Sequence, residues 1–322
     1  MKVSVIIPNY NHAPYLKARI DSVLNQSYQD FEVIILDDKS TDDSVDVIES
    51  YRGNKRVSHI VLNEENSGST FKQWQKGFSL ARGEYIWIAE SDDVAHPKFL
   101  EYLMRAIDGD EDVVMAVSRL QIINEKDEKG AVKGVSYIPG TYSDIPADKW
   151  DKCCNRWSGD EFVKNCLLMG NRLLNASSMI FKKSALKGLP LDYMELKASG
   201  DYLFYIELAM RGRVVEVPMA LDYFRRHSGT VSPKLTASGV QFKEDLKVFH
   251  RLQNLGITSG RMINKVVGFR LWQIMHCDCF NSEDIRKEVE SLWRNEVSCP
   301  GLSVMAYIWT GGMNNLRRRL YK

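Results

Sequence analysis

The sequence predicts an α/β protein, a mainly parallel sheet flanked by helices with a helical C-terminal region. Two observations carry that expectation. Over the first 110 residues, short apolar runs alternate with stretches of helical periodicity. The acidic residues gather where the apolar runs end, which is where open parallel sheets bind their ligands.

Val3 to Ile7 reads as a buried strand closed by Pro8-Asn9-Tyr10-Asn11. A helix follows, with Pro14 near its start and Leu16, Ile20, Val23 and Leu24 at helical spacing. Phe31 to Leu36 is a second strand ending at Asp37-Asp38, and Ser40-Thr41-Asp42-Asp43 matches a capping box opening the next helix. Val57 to Leu62 is a third strand. Phe71, Trp74, Phe78 and Ala81 mark a helical face that stops at Gly83. Tyr85 to Ala89 runs straight into Glu90-Ser91-Asp92-Asp93, and Pro97 opens a helix that Gly109 closes. Beyond residue 110 the pattern loosens. Val113 to Ile123 reads as strand, Lys126 to Gly130 as a polar turn, and 131–170 as an inserted loop with short helices. Ser178 to Lys182 is a strand, Ser199-Gly200-Asp201 opens a helix, and Val214 to Val217 and Leu221 to Phe224 are two short strands. From about Gln241 the chain reads as helical.

Of the 322 residues, 44% are hydrophobic and 26% charged, which excludes global disorder. Lys plus Arg is 43 against Asp plus Glu at 42, so charge gives no support to a nucleic-acid partner. The six cysteines contain no CxxC pair and read as reduced, cytosolic thiols; His276-Cys277-Asp278-Cys279 is too crowded for a metal clip. The first apolar run is too short for a secretory signal and Leu302 to Trp309 too short to span a bilayer, so a soluble or at most surface-bound protein is expected.

Carboxylates brought to one rim repel each other unless a cation sits among them, and Mg²⁺ or Mn²⁺ would resolve this while also binding a diphosphate. Asp42 and Asp43 are explained as helix-start residues, whereas Glu90 to Asp93 follow a fully apolar strand and point to function. The chain contains neither GxGxxG nor GxxxxGK[ST], which argues against dinucleotide dehydrogenases and P-loop enzymes.

In order, Val5-Ile6-Ile7-Pro8-Asn9-Tyr10-Asn11, Asp37 to Asp42, Asn66-Ser67-Gly68, Ala81 to Ile86 and Glu90 to Asp93 resemble the family 2 glycosyltransferases. The resemblance is close over residues 1–110 and resumes more weakly at Gly200-Asp201 and at Tyr223 to Ser232. It implies a GT-A fold over 1–235, with a nucleotide-sugar-binding half at 1–110, an acceptor half at 111–235, and a helical region at 236–322. It further implies that Pro8, Tyr10 and Asp37 frame the nucleotide base, with Asp37 suited to the imide N–H of uracil or thymine. Arg82 joins the nucleotide-sugar-binding set. Asp92 takes the DxD position on ribose and metal-bound diphosphate. Glu90, Asp93 and His227 complete the implied metal set for Mn²⁺ or Mg²⁺, and Asp201 matches the general base, expected to stay ionised at its helix start. The chain departs from the family at Glu90, where an Asp is usual, and at Gly200, where an acid usually precedes the base.

The implied reaction is inverting, metal-dependent transfer from a UDP- or dTDP-sugar to a saccharide or lipid-linked saccharide, in cell-surface polysaccharide assembly. A non-catalytic nucleotide-sugar-binding scaffold and a sugar nucleotidyltransferase remain alternatives, the latter lacking its expected glycine-rich first loop. Arg225 and Arg226 either neutralise phosphate or solvate a strand end, and Tyr142, Trp150 and Trp157 either stack on an acceptor sugar or fill the core. The tail Arg317-Arg318-Arg319-Leu320-Tyr321-Lys322 is either a basic frayed end or a peripheral contact with an anionic membrane from the cytoplasmic side.

Overall fold

The computed structural model describes residues 1–134 and 153–307. Strands β1 (Val3–Asn9) and β2 (Phe31–Asp37) are buried along their whole length, because helices cover both faces of the sheet. Helices α1 (Ala13–Leu24) and α2 (Ser44–Glu49) alternate with them, followed by β3 (Val57–Leu62), α3 (Thr70–Leu80), β4 (Tyr85–Ile88), β5 (Val94–Ala95) and α4 (Phe99–Ile107). β6 (Val113–Ile123) and β7 (Lys129–Lys133) form a hairpin. β8 (Asn155–Ser158), α5 (Gly159–Phe162), β9 (Met179–Lys182), α6 (Gly200–Ala209) and β10 (Arg213–Arg225) complete the sheet region. Five helices end the described chain: α7 (Ser232–Ala237), α8 (Val240–Asn254), α9 (Gly260–Met275), α10 (Glu283–Arg294) and α11 (Pro300–Tyr307).

The main strand order is β3-β2-β1-β4-β9-β6-β10-β5, with β7 on β6 and β8 on β10. β1, β2, β3 and β4 are mutually parallel, as is the β6–β10 pair. β9 runs antiparallel between β4 and β6. The sheet is as expected in its main body, parallel through β1 to β4 and along the long β6–β10 pair, and it is mixed because the short strands β5, β7, β8 and β9 join it antiparallel. The two short strands expected at 214–224 are one strand, β10, whose register on β6 shifts between Val217 and Ala220, across Pro218. Proline has no N–H to give the ladder, so the strand bulges there and resumes.

Alternating residues of β1, β2 and β4 feed two cores. Val5, Ile7, Val33, Ile35 and Trp87 face α1 and α4, while Ile6, Ile34, Leu36, Ile86 and Ile88 face α3, α6 and the C-terminal helices. α3 comes so close to β1 that a Cβ on Gly77 would lie 2.5 Å from Ile6 Cγ2. Phe204 of α6 packs among Trp74, Phe78, Phe181 and Tyr193, and Trp293 of α10 packs against Phe249 of α8, so the C-terminal helices share one core with the sheet.

Two local expectations change. No capping box forms at Ser40: the helix starts at Ser44, and Asp42 instead accepts from the Ser44 and Ala13 N–H groups at 3.0 and 2.9 Å, joining the starts of α2 and α1. Cys277 and Cys279 are joined by a disulfide, so the cysteines are not all free thiols. Among the described residues no helix is long and apolar enough to cross a membrane.

Phe204→Ala should lower unfolding free energy by about 3–5 kcal/mol, as loss of a buried ring does, measured by urea denaturation.

Candidate active site

The site grows from the carboxyl ends of β1, β2 and β4, which lie side by side. Asp37 is buried and accepts from Asn9 Nδ2 at 2.8 Å, Ser40 Oγ at 2.6 Å and the Ser40 N–H at 2.8 Å. Three of its roughly four lone-pair directions are thus used, two holding the loop after β2 and one tying it to the end of β1. Asp38 does the same for the next loop, accepting from Asn63, Ser67 and Gln73. Pro8 is buried beside Leu36, and Tyr10, 47% exposed, stands open at the rim.

The turn after β4 gives each acid a different environment. Asp93 points inward: it accepts from the Arg225 N–H at 2.9 Å and Asn175 Nδ2 at 2.7 Å, and lies 3.6 Å from the fully buried Arg19. Asn175 also donates to Asp222, itself 3.7 Å from Arg19. Burial and the Asp222 and Asp92 charges push Asp93 well above the usual carboxylate range, and burial raises Asp222 to about 6. Arg19 also donates to the Glu90 carbonyl at 2.7 Å and to Ser177 Oγ at 2.9 Å, which accepts the Glu90 N–H at 3.0 Å. Asp93 is therefore an anchor of the turn and not one of the gathered ligands, a correction to the expected metal set.

Asp92 points the other way, toward two imidazoles. His227 Nε2 lies 3.1 Å from Asp92 Oδ2, and the rings of His12 and His227 meet edge to face 5.5 Å apart. The Gly229 N–H lies 3.2 Å from His227 Nδ1, so in a neutral ring Nε2 carries the proton toward Asp92 and would give it up to ligate a cation. Burial opposes the charge of Asp92, yet the His227 hydrogen bond and His12 hold it below the ordinary range. The Asp92 hydrogen bond raises His227, while burial lowers His12. His12, Asp92 and His227 each offer a ligand atom within 4.8 Å of the others. One carboxylate and two imidazoles fit Mn²⁺ better than Mg²⁺, whose preferred ligands are all oxygen. Sequence reasoning missed His12; its place two residues beyond Tyr10, on the same rim loop, was the available signal.

Glu90 stands outside that group, a second correction. Its Oε1 accepts from the Trp74 indole at 3.0 Å, and burial with the charges of Asp92 and Asp201 pushes it up to about 8. Asp201, in the first turn of α6, accepts from the Tyr202 N–H at 2.7 Å and from Asn171 Nδ2 at 3.0 Å. Burial raises it to about 7, outweighing the helix dipole that sequence reasoning expected to keep it ionised. The departure at Gly200 has a steric cause: a Cβ there would lie 2.4 Å from both the Phe71 ring and the Tyr193 carbonyl.

Arg82 does not join the site. It makes a two-pronged bond to Glu32 at 2.9 and 2.6 Å, and its N–H also donates to Glu32 at 2.9 Å, at the opposite end of β2. Glu32 and Asp37 are five residues apart on one strand, roughly 16 Å. Burial works against the Glu32 charge, but Arg82 and Ser4 hold it down to about 2. Arg225 is likewise structural: buried, it donates to the Asp92 and Asn124 carbonyls at 2.8 and 2.9 Å and covers the Tyr15 ring. Arg226 lines an open cleft of about 470 Å³ with Asn124, Lys126 and His227. Trp157 packs against the core, while Tyr142, Trp150 and the tail 317–322 lie outside the described residues.

A sheet of this order with acids at the carboxyl ends of its first parallel strands defines a GT-A-type fold. The crystal structure of Staphylococcus aureus TarS 1-349 in complex with UDP-GlcNAc aligns with a TM-score of 0.56 at 21% identity, covering 92% of this chain and 72% of that one. Residues 4–162 match Glycosyl transferase family 2, and this part of the chain is a domain of that family. An uncharacterized glycosyltransferase of Haemophilus influenzae is 27% identical over 87% of this chain and 82% of its own length. The poly(ribitol-phosphate) beta-N-acetylglucosaminyltransferase TarP of Staphylococcus aureus is 26% identical over 69% of this chain and 62% of its own.

Arg82→Ala should lower the melting temperature at neutral pH and leave UDP binding at the parent value in calorimetry. The cost should shrink as pH falls toward 2: the folded Glu32 pKa lies below its unfolded value, so its stabilising charge is lost in acid.

Proposed function

We propose that this chain transfers a sugar from a nucleoside-diphosphate sugar, UDP- or dTDP-linked, to an acceptor hydroxyl in one inverting displacement. The observation that carries this reading is the division of carboxylates at one rim. Asp92 is kept ionised beside two histidines, while Asp201 is tuned near neutrality. Glu90, whose proton is shifted by the charges of both, lies between them electrostatically. Environments that separate the pKa values of neighbouring acids assign them different tasks.

In this proposal Tyr10, Pro8 and the loops held by Asp37 and Asp38 receive the base. His12, Asp92 and His227 would hold Mn²⁺. When bound, that ion supplies Lewis-acid stabilisation of the departing diphosphate charge. Asp201, oriented by Asn171 and the Tyr202 N–H, accepts the proton of the attacking hydroxyl; a pKa of about 7 suits a base that must be free at neutral pH. TarS is described with UDP-GlcNAc and TarP as a beta-transferase on poly(ribitol-phosphate). Those descriptions support a UDP-sugar donor, an inverted product and a saccharide or other hydroxyl-rich cell-surface acceptor here. A cytoplasmic location completes the proposal.

A nucleotide-release screen across UDP-, dTDP- and GDP-sugars, with and without Mn²⁺, tests the activity. The expected result is Mn²⁺-dependent release from a UDP- or dTDP-sugar. Absence of release from every donor contradicts the activity, and retained anomeric configuration contradicts single displacement. Asp201→Asn should lower turnover about 10²–10⁴-fold with UDP affinity unchanged. In the parent, kcat/KM should rise with pH through about 7, as Asp201 loses its proton. A flat profile from pH 5 to 8 contradicts the role.

A further inference from the structure

The candidate base is held in place by helices that lie outside the sheet. Just ahead of α6, three consecutive peptide N–H groups converge on one side chain. Those of Lys197, Ala198 and Ser199 donate to the carboxylate of Glu244 on α8, at 2.9, 2.7 and 3.0 Å. The next residue of α8, Asp245, accepts from the Ser199 hydroxyl at 2.8 Å and pairs with Arg270 of α9 at 2.9 Å. Arg270 lies against Gly170, where a Cβ would come within 3.1 Å of its Nη2. Gly170 leads directly into Asn171, which donates to Asp201 Oδ2. Both stretches of chain that fix the Asp201 carboxylate therefore rest on α8 and α9.

The chemistry of the contact is unusual for helix packing. Glu244 and Asp245 are 7% and 5% exposed, adjacent and both acidic, although α8 already docks through Phe242, Leu246 and Phe249. Burying a carboxylate is costly unless its oxygens are satisfied, and here the satisfaction comes from the loop that enters α6. A carboxylate facing three N–H groups fixes the position and pitch of the first helical turn. Asp201 sits in that turn, two residues after the last donor.

We infer that α8 and α9 form a brace for the base, with Glu244 as the positioning residue that sets the start of α6. The inference rests on the reading of Asp201 as general base, and it makes the C-terminal helices part of the catalytic apparatus. Glu244 touches no reacting atom; it acts through the geometry of Asp201. Misplacement of a catalytic group by about 1 Å can cost roughly 10²-fold in rate.

The test uses the full chain and its Glu244→Ala, Glu244→Gln and Asp201→Asn variants. UDP release is measured from UDP-glucose, UDP-galactose and UDP-N-acetylglucosamine with Mn²⁺, and UDP binding by calorimetry. Glu244→Ala should lower kcat about 10²-fold, with donor KM and UDP affinity within about two-fold of the parent. Glu244→Gln, which keeps one acceptor oxygen, should recover kcat to within about ten-fold of the parent. Melting temperatures and UDP binding identify a variant that has merely lost its fold, and Glu244→Gln then carries the test. Parent-like kcat in both Glu244 variants, with Asp201→Asn inactive, overturns the brace alone. Full activity in Asp201→Asn overturns the base assignment and the brace with it. An equal loss of kcat and UDP affinity in Glu244→Gln also overturns the brace, because it marks a general structural role.

Discussion

The site depends on a guanidinium that never reaches solvent. Arg19 is fully buried in α1, and its cation must be matched there. Asp93 and Asp222 lie 3.6 and 3.7 Å from it and share that role, and Asn175 bridges the two carboxyl groups. The same guanidinium holds the Glu90 carbonyl, while Ser177 takes the Glu90 N–H. The turn after β4 is thereby fixed at both ends, and Asp93 turned inward leaves Asp92 turned out toward His12 and His227. A planar, permanently charged fork suits this task in a way a lysine would not.

From that anchor the electrostatics of the rim follow. Asp92 and Asp201 are both acids at the ends of elements, yet histidines hold one down and burial lifts the other to about 7. The first arrangement suits a cation and a diphosphate; the second suits a hydroxyl proton. Placement of Asp201 is shared among Asn171, the first turn of α6 and the helices behind it, so its carboxyl is held as much by the C-terminal region as by the sheet.

Much of this was legible in the sequence because it is local. The strands β1 to β4 announced themselves as apolar runs, and their ends were marked by Asp37-Asp38 and Glu90 to Asp93. What was not legible depends on distant partners. Nothing near Asp93 tells that Arg19, Asn175 and Asp222 surround it, so it looked equivalent to Asp92. Arg82 looked like a ligand contact within a family-like motif, and only its pairing with Glu32 shows it at the other end of the strand. The antiparallel insertion of β9 and the joining of two runs into β10 across Pro218 are pairing outcomes that periodicity does not encode. Gly200 read as a lost acid until Phe71 and Tyr193 were seen to leave it no room.

The central claim is that adjacent acids, Asp92 and Asp93, hold opposite offices: one faces the ligand, the other locks the turn. Calorimetric titration of UDP in Mn²⁺ into Asp92→Asn, beside its melting curve and that of Asp93→Asn, tests it most directly. The account predicts that Asp92→Asn melts like the parent and loses Mn²⁺-dependent UDP binding, whereas Asp93→Asn melts lower. Parent-like UDP affinity in a folded Asp92→Asn would contradict it.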